Sequence, residues 1–334
     1  MSKHYSNQVA NMPKQFITEL KKGARVTSVF SLKYKEPIRE YGKPFKGYMF
    51  SLGLSDKTGE ISLNYFGSTD RNSVQKVYDG FNVGDVVFVD GNVSEFNSKL
   101  NINTSPPEGI VRKALETEYS LGDYIAETNQ DVDEMMAKID ETRAGIKNPH
   151  LKALLDSFFS DSEFVKAYKT TPAAMYMHHN CIGGLLEHNW GVLQLCEVTA
   201  KIHPSMDRDL LFCGAILHDI GKIAEFETTT HIKVSEEGML RGHSSIGEEM
   251  ILEKIRKIEG FPKQLKLKIV HMIIAHHGKK DNGCAKEPQF PEAYALYAAD
   301  EFDAKITQYI RIKKDSNTED FRVYTQRLGE IYLK

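Results

Sequence analysis

Arg208-Asp209-Leu210-Leu211-Phe212-Cys213-Gly214-Ala215-Ile216-Leu217-His218-Asp219-Ile220-Gly221-Lys222 is the stretch on which the reading of this chain turns. Leu210, Leu211, Cys213, Ile216 and Leu217 recur at the spacing of a buried helix, and Gly221 ends the pattern. His218 and Asp219 therefore sit at the inward-facing C-terminal end of an apolar helix. A carboxylate in such a place is costly unless something positive meets it.

The same device recurs nearby. Ile269, Val270, Ile273 and Ile274 run into His276-His277, and Asp300 lies within Tyr297-Ala298-Ala299-Asp300-Glu301-Phe302, another apolar face. With His188 and His243, five separate elements deliver imidazole or carboxylate donors within one helical region. Such donors suit Mn, Fe, Zn or Ni, and a pair of metals needs about this many together with a bridging carboxylate. The four cysteines, Cys181, Cys196, Cys213 and Cys284, form no CxxC pair, which points away from a structural zinc ribbon and toward reduced thiols.

Outward from this region the chain divides. At roughly 150 residues per domain, 334 residues predict about two domains. Residues 15–115 are rich in β-branched and alternating runs, among them 25–30, 47–52, 60–66 and 85–90. Asp56-Lys57-Thr58-Gly59 supplies a tight turn, and a last strand near 100–103 is closed off by Pro106-Pro107. Five strands in this length predict a small closed barrel, an OB-fold in the first instance and an SH3-like barrel in the second. Residues 116–149 read as an acidic helical connector. Residues 150–334 read as an all-α bundle, with helices expected over 151–159, 185–200, 208–218, 245–258, 265–276 and 291–312. The fold class is thus multidomain α+β.

Composition excludes other classes. Hydrophobic residues at 41% and charged residues at 27% rule out a disordered or fibrous chain. No apolar run approaches the roughly 18 residues of a membrane span, and the first residues lack a secretory pattern, so a cytoplasmic protein is expected. Residues 1–115 carry 16 Lys and Arg against 11 Asp and Glu, a net +5, which leaves −8 for the remainder. A basic barrel could face a polyanion while an acidic bundle holds cations.

His188, His218-Asp219 and Asp300 reproduce the H…HD…D signature of the HD metal-dependent phosphohydrolase superfamily, and His218-Asp219-Ile220-Gly221-Lys222 resembles its HD-x-G-K phrase. His178-His179-Asn180, the Gly-Gly-Leu-Leu-Glu-His run ending at His188, Ala275-His276-His277-Gly278-Lys279 and the run from Pro291 to Ala304 resemble the YhaM-type 3′→5′ exoribonucleases. Those proteins place an OB-fold before an HD domain, the order expected here from strand and helix patterns. The resemblance implies that Asp219 bridges two ions. It assigns His188, His218 and Asp300 to one ion and His243, His276 and His277 to the other.

The implied activity is metal-dependent 3′→5′ hydrolysis of single-stranded RNA, with single-stranded DNA as a further substrate to consider. Mn is the first expectation for the metal, and Fe, Ni, Co and Zn suit the same donors. Lys222 is expected to stabilise phosphate charge. His178 and His179 are expected either to contact the scissile phosphate or leaving group or to orient a ligand. The barrel would bind the strand through aromatics drawn from Tyr34, Tyr48, Phe50, Tyr65, Phe66 and Phe96, interleaved with Lys33, Lys35, Lys46 and Lys99. Strand alternation turns half of these aromatics inward, and sequence does not say which. The competing readings are an HD-family phosphodiesterase for cyclic dinucleotides or small nucleotides, and a non-catalytic nucleic-acid-binding protein. Whether the chain forms a homo-oligomer stays open at this level.

Overall fold

Alternation of apolar side chains closes the first part of the chain into a barrel. The computed structural model describes residues 14–42, 46–97, 99–175, 179–316, 318, 320–325 and 328–334. Strands β1 (Arg25–Lys35), β3 (Gly47–Asp56), β4 (Gly59–Phe66), β5 (Val86–Phe96) and β6 (Lys99–Thr104) run in the order β1-β3-β4-β6-β5, and β5 returns to pair with β1. All of these pairings are antiparallel except β4 with β6, which is parallel. Closure in this order, with helix α1 (Arg71–Tyr78) between β4 and β5, is the topology of an OB-fold. Two short strands extend the sheet beyond the five expected: β2 (Arg39–Tyr41) on β3 and β7 (Ile110–Lys113) on β5.

The interior is filled by alternate residues of the strands: Val26, Phe30, Leu32, Phe50, Leu52, Leu54, Leu63, Val87, Val89 and Ile102 are all buried. The turn between β3 and β4 forms because Asp56 Oδ1 accepts from Thr58 N at 2.8 Å and from Thr58 Oγ1 at 2.6 Å. Asp70 caps α1 by accepting from Asn72 N at 3.0 Å.

The chain divides into two units at Ala126, with residues 229–231 grouped with the first. The second unit is helical: α2 (Val132–Ala144), α3 (Pro149–Phe159), α4 (Ser162–Thr170), α5 (Gly184–Ile202), α6 (Arg208–Leu217), α7 (Lys222–Glu225), α8 (Glu236–Ile255), α9 (Lys263–Ala275) and α10 (Pro291–Asp315). Two short hairpins accompany the expected helical bundle, β8 (Phe226–Thr228) with β9 (Ile232–Val234) and β10 (Arg322–Thr325) with β11 (Gly329–Tyr332).

The stretch expected as a helical connector, residues 116–149, is divided between the two units. Residues 116–126 group with the barrel, while Met135, Met136 and Ile139 of α2 are buried in the helical core. Helix α6 is buried from Leu210 through Leu217, which makes it the central element. Truncating one of its leucines to alanine would cost roughly 2–5 kcal/mol. Its start is fixed by Asp207, whose carboxylate accepts from Leu210 N at 3.0 Å.

Candidate metal centre

Side chains from five helices converge at the C-terminal end of α6. His218 caps the C-terminus of that helix and Asp219 follows it; His188 comes from the second turn of α5, His276 and His277 from just past the end of α9, Asp300 from the middle of α10, and His243 from α8 just after a break at Gly242 (φ 69°). His188, His218, Asp219 and His276 have at most 1% of their surface exposed.

Each of four imidazoles is held by its Nδ1–H. His218 donates to Ala215 O at 3.0 Å and His276 to Ile273 O at 2.5 Å, the carbonyls three residues back. His188 Nδ1 donates to Asp303 Oδ2 at 2.7 Å, and His243 Nδ1 donates to Glu225 Oε2 at 2.9 Å. Their Nε2 atoms are left to point at one another and at Asp219. His188 Nε2 lies 3.3 Å from His218 Nε2, and His243 Nε2 lies 2.9 Å from His277 Nε2.

Asp219 stands between the two groups. Its Oδ2 is 3.4 Å from Nε2 of both His188 and His218, while its Oδ1 is 3.6 Å from His243 Nε2 and 3.5 Å from His276 Nε2. Asp300 Oδ1 joins the first group, 3.1 Å from His188 Nε2. The ligand atoms of His188, His218 and Asp300, and separately those of His243, His276 and His277, lie within 4.8 Å of one another.

The donor set fits a cation. Asp219 Oδ1 and His276 Nε2 are both buried, and neither has a hydrogen-bond partner among the described residues; both are acceptors, so they cannot satisfy each other. A divalent ion is what such facing acceptors suit.

Charge is distributed to keep the acceptors open. Burial alone would raise the Asp219 carboxyl, but Lys222, with Nζ 2.5 Å from Oδ2, and then His218 hold it well below the usual carboxylate range. Burial lowers His276 and pushes His277 down to about 3, so both rings are neutral. His188 goes the other way: burial opposes its charged form, yet the hydrogen bonds with Asp300 and Asp303 outweigh it and push the ring up to about 9.

The residues expected from sequence therefore divide by position. His188, His218, Asp219, His243, His276, His277 and Asp300 are brought together. Lys222 is nearly buried and directed at Asp219. His179 lies behind His188, its Nε2 3.1 Å from Asp303 Oδ2 and its Nδ1 3.4 Å from Glu187 Oε2. His178 lies outside the described residues.

Sequence reasoning missed Asp303, Glu225 and Glu187 as partners of these rings. Asp303 carried a signal, being one helical turn after Asp300. Glu225 carried none, because its contact with His243 spans 18 residues and a hairpin.

Among the barrel aromatics, Phe50 and Tyr65 are core residues, stacked 4.7 Å apart. Tyr48 and Phe66 are half-buried, while Tyr34 (48% exposed) and Phe96 (72%) line a groove of about 790 Å³ on the barrel surface. Lys35 is turned aside, donating to Tyr78 O and Phe81 O.

A family model described as the HD domain matches residues 185–305, a span that contains every residue of the two donor groups. The chain carries an HD domain. The HD-domain chain is also similar along most of its length to curated proteins named 3′-5′ exoribonuclease YhaM. It is 29% identical over 300 residues to that of Geobacillus sp. (strain WCH70), covering 88% of this chain and 87% of the relative. It is 28% identical over 275 residues to that of Bacillus subtilis (strain 168), covering 82% of each. Solved structures similar to the barrel include an OB domain from Thermoplasma acidophilum, 16% identical with a TM-score of 0.24, covering 30% of this chain and 85% of that one. A replication factor A related protein from Methanobacterium thermoautotrophicum is 20% identical with a TM-score of 0.26, covering 32% and 96%.

Proposed function

We propose that this chain is a metal-dependent 3′→5′ exoribonuclease that hydrolyses the phosphodiester bonds of single-stranded RNA at a two-metal centre. The observation that carries the reading is the division of Asp219, one oxygen toward His188 and His218 and the other toward His243 and His276. His188, His218 and Asp300 would hold one ion, His243, His276 and His277 the other, and Asp219 both. Two divalent ions held there, Mn first among the candidates, would supply an activated water and offset the negative charge of the phosphate.

The protein's own groups prepare that chemistry. Lys222 keeps Asp219 ionised in a dry site, so it serves the bridging carboxylate in addition to any phosphate. Asp303 and Glu225 fix the tautomer and aim of His188 and His243, and His179 steadies Asp303 from behind. In the barrel, Tyr34 and Phe96 offer exposed rings on which bases can stack. The similarity to YhaM proteins over most of both lengths supports RNA as the substrate, and single-stranded DNA is the second polymer to compare. No described helix is long and apolar enough to cross a membrane, and a cytoplasmic site of action goes with the substrate.

The decisive experiment treats the chelated and remetallated protein with 5′-labelled single-stranded RNA. With Mn restored, a ladder of labelled products shortened from the 3′ end is expected, absent in the chelator control. Immediate release of the label as mononucleotide, or cleavage unaffected by chelation, overturns the reading.

A further inference from the structure

We propose that the barrel groove discriminates among RNA bases by their hydrogen-bonding edges, through a ladder of uncharged side chains that crosses four strands. The inference rests on the reading of the chain as an enzyme of single-stranded RNA and adds a selectivity that this reading does not contain.

The ladder starts on β3 and crosses β4, β6 and β5. Ser51 Oγ donates to Asn64 Oδ1 at 3.1 Å, Asn64 Nδ2 donates to Asn103 Oδ1 at 3.3 Å, and Asn103 Nδ2 donates to Ser94 Oγ at 2.9 Å. Ser94 Oγ then donates to Asn101 Oδ1. The bonds all run in one direction, so the orientation of each amide is set by its neighbour. Asn64 retains one N–H and one lone pair, and Asn101 retains its whole amide NH2, beyond the bonds of the ladder. Both residues line the groove that also holds Tyr34 and Phe96.

The groove is built for a flat ligand. Tyr34 pairs with Gly53 across β1 and β3, and a Cβ at Gly53 would fall 2.0 Å from the Tyr34 ring. The tyrosine thus lies flat on the strand with its other face outward. A base stacked there lies parallel to the sheet with its edges directed sideways along the groove, whose lining amides offer donors and acceptors side by side. Stacking is tolerant of base identity, whereas a fixed amide is not.

Charge contributes little on this surface. Of the groove's described lining residues only Glu60 and Lys99 are charged, with opposite signs, and Glu60 is paired with Lys33 at 2.5 Å. Selectivity arising here is therefore independent of the phosphate term, which is common to every sequence and falls with salt.

The test measures binding of the full chain, without divalent metal so that no hydrolysis occurs, to labelled 12-residue oligomers of A, C and U at two NaCl concentrations. Affinities are expected to differ at least about 5-fold between the best and worst base, with a ratio unchanged by salt. Asn64→Leu, and Asn101→Leu at the free end of the ladder where folding is least at risk, should each bring that ratio toward one. Tyr34→Ala should weaken all three equally. Equal affinities in the parent protein, or a preference that survives both asparagine variants in folded protein, overturn this inference alone. No binding to any oligomer overturns the RNA reading itself.

Discussion

Asp219 holds its place between two sets of imidazoles because Lys222 pays for its burial, and each partner is expensive to remove. We predict that Asp219→Asn lowers RNA hydrolysis by at least about 100-fold, since both proposed ion positions lose their shared oxygen. RNA affinity, which is proposed to come from the barrel, should be unchanged. In the metal-free protein the variant also leaves Lys222 as an unpaired buried cation, a loss on the order of 3–5 kcal/mol. Single-turnover cleavage alongside anisotropy binding checks the first claim; activity above a few per cent of the parent rejects the bridging role. A second pair of substitutions separates the two ion positions. Asp303→Asn should weaken metal binding at the His188 side, and Glu225→Gln at the His243 side, each by roughly 10–100-fold. After dialysis against limiting Mn, elemental analysis should find close to one ion per chain in either variant. Two ions retained in both would show that these carboxylates only pack. Four of the seven donors, His218, Asp219, His276 and His277, were legible in sequence because they close apolar helices, where a polar residue needs a reason; Asp300 stood out on an apolar face, and His188 and His243 through the resemblance to the HD signature. Glu225 was not, because a contact made across a hairpin leaves no periodic trace.

At the scale of elements, the site depends on how closely α7 and α8 approach. A Cβ on Gly221 would fall 2.0 Å from the His243 carbonyl oxygen and 2.7 Å from the Gly247 amide nitrogen. Both are backbone atoms and cannot rotate away. Gly221→Ala should therefore cost about 1–3 kcal/mol and displace α8 with His243. The expected signature is a lowered Tm together with loss of metal from the His243 side only. An alanine variant with parental Tm and two ions would show that the helices separate freely. The break at Gly242 serves the same geometry: it frees the His243 N–H to donate to Glu225 Oε1 at 3.1 Å. Sequence periodicity predicts one helix over 245–258, whereas α8 runs from Glu236 to Ile255. Its first turns are polar and carry no apolar stripe, so only their packing beside α7 reveals them.

For the whole molecule, the two units have separate cores, one of strand residues around Phe30, Phe50 and Leu63 and one around α6. We predict that residues 127–334 alone fold, bind metal and cleave small model phosphodiesters at a rate near that of the full chain. On long RNA the shortened chain should show a raised KM with kcat little changed, the mark of lost uniform binding. Steady-state kinetics on both substrates checks it. Equal KM values for long RNA would mean that the helical unit captures the strand by itself. Among the described residues that line the groove only Glu60 and Lys99 are charged, so the basic excess of residues 1–115 is not concentrated there, and the missing unit should change base selectivity as well as affinity.

The sequence by itself determined the two-part architecture, the closed barrel and the imidazole and carboxylate donors that the fold brings together. These follow from local rules: alternation for strands, 3.6-residue spacing for helices, and the rarity of buried polar groups at helix ends. Only the tertiary structure decided which oxygen of Asp219 faces which imidazoles, that Asp303 and Glu225 stand behind His188 and His243, and that Tyr34 and Phe96 are the barrel aromatics left exposed. These are relations between elements distant in the chain. They depend on side-chain direction and on the β1 irregularity between Leu32 and Tyr34, neither of which any local pattern encodes.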